Sequence, residues 1–143
     1  MRKQPGLQTS VLVDTGPLVA LLSSHDRHHA WVLEQLATMK PPLITCEAVL
    51  AEATHLVRHL PQGRAALLEM VNEGFLIIGM EISAHSGPLL TMVKRYASVP
   101  MSLADLCMVR LAELNPHSAL WTLDSDFSVY RKNSRHVIPL ITP

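Results

Sequence analysis

The chain has little of what several protein classes require. Among its 143 residues are two cysteines, Cys46 and Cys107, without the close spacing of a zinc or redox motif. Both stand in apolar, helix-like surroundings, which points to buried free thiols in a reducing cytosol. No charge is in excess. Twelve basic residues face twelve acidic ones, so no global field advertises a nucleic-acid or membrane partner, and a dedicated nucleic-acid binder usually shows a basic surplus. No window reaches the ~18 uninterrupted apolar residues of a membrane span. Arg2 and Lys3 precede an apolar run over 11–22, the order of a secretory signal. Asp14 and Pro17 interrupt that run, however, and no small-residue cleavage site follows cleanly. The expectation is a cytoplasmic protein.

What the sequence does have is apolar bulk, 48% of the chain, ample for one core. A single domain over 1–143 is expected, with 1–9 and the basic loop near Lys132 and Ser134 as its loosest parts. Short apolar runs at 11–13, 43–45, 75–78, 119–122 and 137–138 are continuous rather than alternating, as in strands covered on both faces. Pro139 makes the last an edge strand or a strand end. Helix-like segments lie between them, at 17–22, 27–39, 46–59, 63–72, 85–97 and 102–114. Pro17 suits a first helical position. Asp26 suits the cap of the second segment and Gly74 the close of the fourth. Strands alternating with helices predict an α/β fold with a mainly parallel sheet.

Within the first strand the run VLVDTGP carries the D-T-G triplet of aspartic proteases, and Leu76-Ile77-Ile78-Gly79 resembles the element that supports it there. Those enzymes are nearly all β-structure, with the triplet in a turn between strands. Here it lies between a buried strand and a helix, and only six glycines are available for tight hairpins. The peptidase reading is set aside, and LIIG is read as a core strand.

Ligands of an open parallel sheet bind beyond the carboxyl ends of its strands. Asp14 follows a strand directly and belongs at that edge, unless it merely caps the next helix. Glu52 shares a helix face with Val49 and Leu56, and a carboxylate in an apolar stripe needs a partner. The alternative is a salt bridge to an Arg or Lys. Glu47 falls on the polar face with Thr54 and Arg58, near a helix start that favours its charge. Asp105 lies on the face of Met108, Val109 and Ala112, although Ser102 and Asp105 also have capping-box spacing. Asp124 and Asp126 follow the strand at 119–122, where an Asx turn is the competing explanation. If these acids converge, their mutual repulsion calls for divalent cations. Oxygen ligation favours Mg²⁺ or Mn²⁺ over zinc, and two-metal phosphodiester hydrolysis is the natural chemistry. His55 and His59 have zinc-compatible spacing but lack the glutamate of H-E-x-x-H. His25, His28 and His29 cluster at a helix entrance, and solvated or packing roles suit the histidines better.

With these residues in view, the chain resembles the PIN-domain ribonucleases, particularly the VapC-like toxins of bacterial toxin–antitoxin pairs. The motifs are LVDTGPLVALL around Asp14, ITCEAVLAEATHLV around Glu52, MSLADLCMVRLAE around Asp105 and WTLDSDF around Asp124, in register along nearly the whole chain. The resemblance implies a three-layer α/β/α sandwich with a central mainly parallel sheet. It also implies an acidic site in which Asp14, Glu52, Asp105 and Asp124 bind Mg²⁺ or Mn²⁺, with Asp126 assisting through water. Thr15 and Thr122 match hydroxyl positions that orient carboxylates or waters. The implied reaction is endonucleolytic cleavage of RNA, leaving a 5′-phosphate and a 3′-hydroxyl. The implied partners are an RNA substrate, a second copy in a homodimer, and an antitoxin crossing a groove formed with the helices between Pro17 and Met39. Arg131, Lys132 and Arg135, or Lys94 and Arg95, offer local positive charge for RNA. Two other readings stay open: a structure-specific DNA nuclease on the same acids, and a regulatory module whose acids hold one structural ion.

Overall fold

A computed structural model describes residues 9–143. The expectation of a loose 1–9 segment, and the check on Arg2 and Lys3, fall almost wholly outside the described residues. The first strand, β1 (Ser10–Val13), is buried from Val11 to Val13, as a strand covered on both faces should be. Two helices follow, α1 (Thr15–Leu22) and α2 (His29–Thr38), then β2 (Leu43–Thr45). A second helix pair, α3 (Glu47–Leu56) and α4 (Gly63–Asn72), leads to β3 (Leu76–Ile78). After a 3₁₀ turn (Ile82–His85) come α5 (Ser86–Arg95), α6 (Leu103–Leu114) and β4 (Ser118–Trp121). The chain ends with a second 3₁₀ turn (Ser125–Ser128), a small hairpin of β5 (Arg131–Lys132) and β6 (His136–Val137), and β7 (Leu140–Ile141).

The five-stranded sheet has the order β3-β2-β1-β4-β7, and every pairing in it is parallel. From β1 the chain first builds outward through β2 and β3, then returns to the other side of β1 with β4. Right-handed crossovers in opposite directions put helices on opposite faces. Accordingly α1 packs with α2, α3 and α4, and α5 packs with α6, while α3 and α6 also meet. The result is the expected α/β/α sandwich. Its edges are short, three residues in β3 and two in β7.

The core centres on β1, β4 and α6. All four residues of β4 are buried, and α6 buries residues on nearly every side, from Ala104 to Ala112. Cys46 and Cys107 are buried free thiols, as expected, with Cys46 Sγ 4.0 Å from Met108 Sδ. Gly74, at φ 78°, closes α4 with paired bonds from its own N–H to Val71 and from Phe75 N–H to Met70, a Schellman ending that favours glycine.

Two local expectations are corrected. The last sheet strand is not 137–138 but β7. Pro139 has no N–H to give a ladder, so it serves as an acceptor for Leu120 N–H at 2.8 Å, and Ile141 carbonyl receives Thr122 N–H. Val137 turns outward into the hairpin instead. Asp26 does not cap α2; its Oδ1 accepts from His28 N–H at 2.8 Å, which puts His28 at the cap position.

Gly79 explains the apolar-apolar-Gly run. A Cβ there would lie 2.5 Å from Ile44 Cγ2 and 2.7 Å from Leu111 Cδ2, so the end of β3 packs closely only without a side chain. Gly79→Ala is expected to destabilise the protein by ~1–3 kcal/mol. Urea unfolding should show a lower midpoint with an unchanged m-value.

Candidate active site

The chain reverses its direction of sheet growth at β1, so a crevice opens between the carboxyl ends of β1 and β4. Asp14 leaves β1 directly, its N–H donating to Trp121 carbonyl at 3.0 Å. It stands at the N-cap position of α1, yet its side chain makes no capping bond. Its Oδ2 accepts instead from Thr122 Oγ1 at 2.9 Å. Thr122 Oγ1 in turn accepts from Asp124 N–H, and Asp124 Oδ1 accepts from Asp126 N–H, each at 2.9 Å. The last contact is the Asx turn expected at this strand exit. Asp124 nevertheless also faces the crevice.

Two helices bring the other acids. Thr15, the first residue of α1, donates from Oγ1 to Glu52 Oε2 at 3.0 Å. At the start of α6, Ser102 Oγ accepts from Asp105 N–H at 3.0 Å, and Asp105 Oδ2 accepts from Ser102 N–H at 3.2 Å. This reciprocal capping box fixes Asp105 where the helix begins. Asp14, Glu52, Asp105 and Asp124, with Thr15 and Ser125, line one open cleft of about 430 Å³.

The reason given for Glu52 needs correction. The buried face of α3 is Val49, Ala53 and Val57, whereas Glu52 and Leu56 are exposed. Glu52 is therefore not a desolvated charge in an apolar stripe. It reaches the cleft rim with a threonine as partner and no Arg or Lys. Among the described residues the ion pair is Arg110 with Glu113, at 3.2 Å.

Asp126 is exposed and lies outside the cleft lining. Arg131, Lys132 and Arg135 belong to the β5–β6 hairpin, also outside it. The Arg131 guanidinium is occupied at home, donating from Nη1 to the carbonyls of Ser128, Val129 and Tyr130 at 2.7, 2.9 and 3.1 Å. No histidine lines the cleft. His55 Nε2 faces Arg58 and His29 Nδ1 the carbonyl of Ala20, so both serve local contacts. Gly16, Leu123 and Ser125 also line the cleft and were not anticipated; their adjacency to Asp14 and Asp124 in sequence was the available signal.

Electrostatics follow from this crowding. Asp14 is 6% exposed. Burial pushes its carboxyl up to about 6, against the bonds from Thr15 and Thr122 and with Asp105 and Asp124 adding to the rise. Asp105 is also raised, by burial first, against its Ser102 bond and with Asp124 and Glu52 contributing. The donor set is all oxygen, which fits Mg²⁺ or Mn²⁺. Among the described residues no three His, Cys, Asp or Glu side chains form a ready-made ion cage; the carboxylates stand around the cleft wall. Mg²⁺ keeps several waters and takes few protein ligands, so such a spacing suits it.

Comparison with known proteins agrees with the architecture. The family model of the PIN domain matches residues 11–133. Among solved structures, that of Mycobacterium tuberculosis VapC20, a sarcin–ricin loop cleaving toxin, is similar with a TM-score of 0.70. The similarity covers 84% of this chain and 94% of that one at 19% identity, a likeness of fold. No curated protein matches the chain in sequence. Among the described residues no helix is long and apolar enough to cross a membrane.

The raised Asp14 makes a prediction about stability. Its carboxyl ionises near 3.8 when unfolded and near 6 when folded, so the folded state holds the proton more tightly. The associated stability is complete below about pH 4 and is lost as pH rises through 6. A shift of this size corresponds to ~3 kcal/mol at most. Asp14→Asn should therefore be more stable than wild type in EDTA at pH 7.5, by ~1–3 kcal/mol. The difference should close at pH 4 when urea unfolding is repeated there.

Proposed function

Because the chain belongs to the PIN-domain family, we propose that it is an endoribonuclease dependent on Mg²⁺ or Mn²⁺, and the toxin component of a toxin–antitoxin pair. The observation that carries this reading is the convergence of Asp14, Glu52, Asp105 and Asp124 on one cleft, from four separate segments of chain. Clustered carboxylates with raised proton affinity are poor neighbours for each other and good ligands for a divalent cation. They are the residues assigned to hold it. Bound there, the metal supplies Lewis-acid stabilisation of the phosphoryl oxygens and an activated water.

The chain's own groups have separate tasks. Thr122 holds one oxygen of Asp14. Thr15 does the same for Glu52, and the Ser102 box turns Asp105. Fixed carboxylates lose little freedom when charge develops at the substrate, which is how positioned groups lower a barrier. Ser125, exposed at the rim, is placed to donate to a substrate phosphate. Asp126 lies two residues beyond Asp124 and acts through water. Arg135, exposed on the hairpin, and Lys132, half-buried beside it, are the cations assigned to the RNA backbone; Arg131 serves mainly to hold the turn.

RNA is favoured over DNA by the likeness to VapC20, itself a sarcin–ricin loop cleaving toxin. From the resemblance of its motifs to the VapC-like toxins, we further propose that this single nuclease domain acts in the cytoplasm as a homodimer, restrained by an antitoxin laid across α1 and α2. A DNA nuclease on the same acids is the competing outcome of the test.

Incubation with Mn²⁺ and sarcin–ricin loop RNA, other single-stranded and stem-loop RNAs, and DNA flaps separates these readings. Cleavage of RNA with 5′-phosphate ends is expected, abolished by EDTA. Asp105→Asn, with a native unfolding transition, should lower the rate by at least ~10²-fold, since metal sites contribute several kcal/mol to the transition state. Cleavage of flaps alone would reassign the substrate. Undiminished RNA cleavage by Asp105→Asn would remove the acidic site from the mechanism.

A further inference from the structure

Two strands flank β1 in the sheet, β2 and β4, and a buried threonine stands at the carboxyl end of each. Thr122, just after β4, has its task in holding the Asp14 carboxylate. Thr45, the last residue of β2, is fully buried and has no task in the chemistry described so far. Valine has the same shape, favours strands and needs no hydrogen bond. A hydroxyl at such a position is costly to desolvate unless it finds a partner.

The partner of Thr45 leads to the cleft. Its Oγ1 donates to the Val13 carbonyl at 2.9 Å, a buried bond across 32 positions of sequence. That carbonyl shares a peptide group with the N–H of Asp14, which donates to Trp121 carbonyl at 3.0 Å. One peptide plane is therefore tied on both sides, to β2 through a side chain and to β4 through the backbone. β1 and β2 pair at Leu12 and Ile44, so the hydroxyl takes up the pairing one residue beyond the backbone register. Thr45 is itself held from the far side, its carbonyl accepting from Gly79 N–H at 2.9 Å. A planar peptide fixed at both polar ends leaves Asp14 little beyond its own torsions, and Thr122 holds the side chain.

We propose that Thr45 is a positioning residue of the acidic cleft: by holding the Val13 carbonyl, its hydroxyl sets the backbone from which Asp14 presents its carboxylate to a divalent cation. The inference rests on the metal-dependent reading above and extends it to a side chain that lines no part of the cleft. Supports behind the ligands of a metal are typically worth about 10–100-fold in its affinity. Without the hydroxyl, the buried Val13 carbonyl loses this donor, and an unpaired buried acceptor is costly enough to shift the end of β1.

Thr45→Val removes the donor at constant shape, whereas Thr45→Ser keeps the donor and removes a core methyl. Mn²⁺ titration calorimetry and urea unfolding in EDTA are the paired measurements, on the full chain. The Kd for Mn²⁺ is expected to rise about tenfold or more in Thr45→Val and to stay close to that of wild type in Thr45→Ser. Both variants should unfold at lower urea than wild type, the serine through lost packing, so affinity follows the hydroxyl and not stability. A wild type that binds Mn²⁺, with Thr45→Val binding it equally well, would overturn this inference and leave the nuclease reading standing. Equal weakening in both variants would assign the effect to packing and overturn it as well. Should Thr45→Val lack a cooperative transition, Thr45→Ala against Thr45→Ser makes the same comparison. A wild type that binds no Mn²⁺ would remove both readings.

Discussion

Carboxylates gathered at one end of a parallel sheet repel one another, and most of the architecture around the cleft can be understood as the restraint that holds them there. Asp14 is the most constrained. It is buried, it feels Asp105 and Asp124, and its proton affinity rises accordingly. Its position is set by backbone, through the N–H bond to Trp121, and its side chain by Thr122. Neither restraint depends on a flexible loop. Asp105 is held by a helix start and Glu52 by a hydroxyl on the neighbouring helix. Each acid is thus fixed by neutral donors. Cationic partners would have neutralised the cleft and removed its affinity for an ion.

The fold was largely legible because its signals are local. Continuous apolar runs marked β1 to β4, and the helix at 63–72 was found to the residue. The carboxyl-terminal strand was misplaced because Val137 and Ile138 look like strand residues. Only one of them, Ile138, is buried. What decides the pairing is Pro139, whose carbonyl can enter a ladder that its nitrogen cannot.

The site was legible in composition and less so in mechanism. Strand exits led to Asp14 and Asp124 by position alone, while Asp105 was reached by its helix face together with its place in a first turn. Glu52 was reached by an argument about burial that the structure does not support, since α3 turns its apolar stripe one step further round, onto Ala53 and Val57. Helical faces are broad, and spacing of three and four residues does not say where a face ends. The Thr122–Asp14 bond joins residues 108 positions apart, beyond any local pattern.

The short sheet edges have a separate consequence, for colloidal behaviour. With a formal net charge of zero and a pI near 7.1, molecules in neutral buffer gain little protection from long-range repulsion. An extended edge strand would then invite strand addition from another chain and growth into aggregates. Three residues in β3 and two in β7 offer too little ladder for that. Protection of this sheet against edge-to-edge strand addition thus comes from geometry at its margins, where many proteins rely on surface charge.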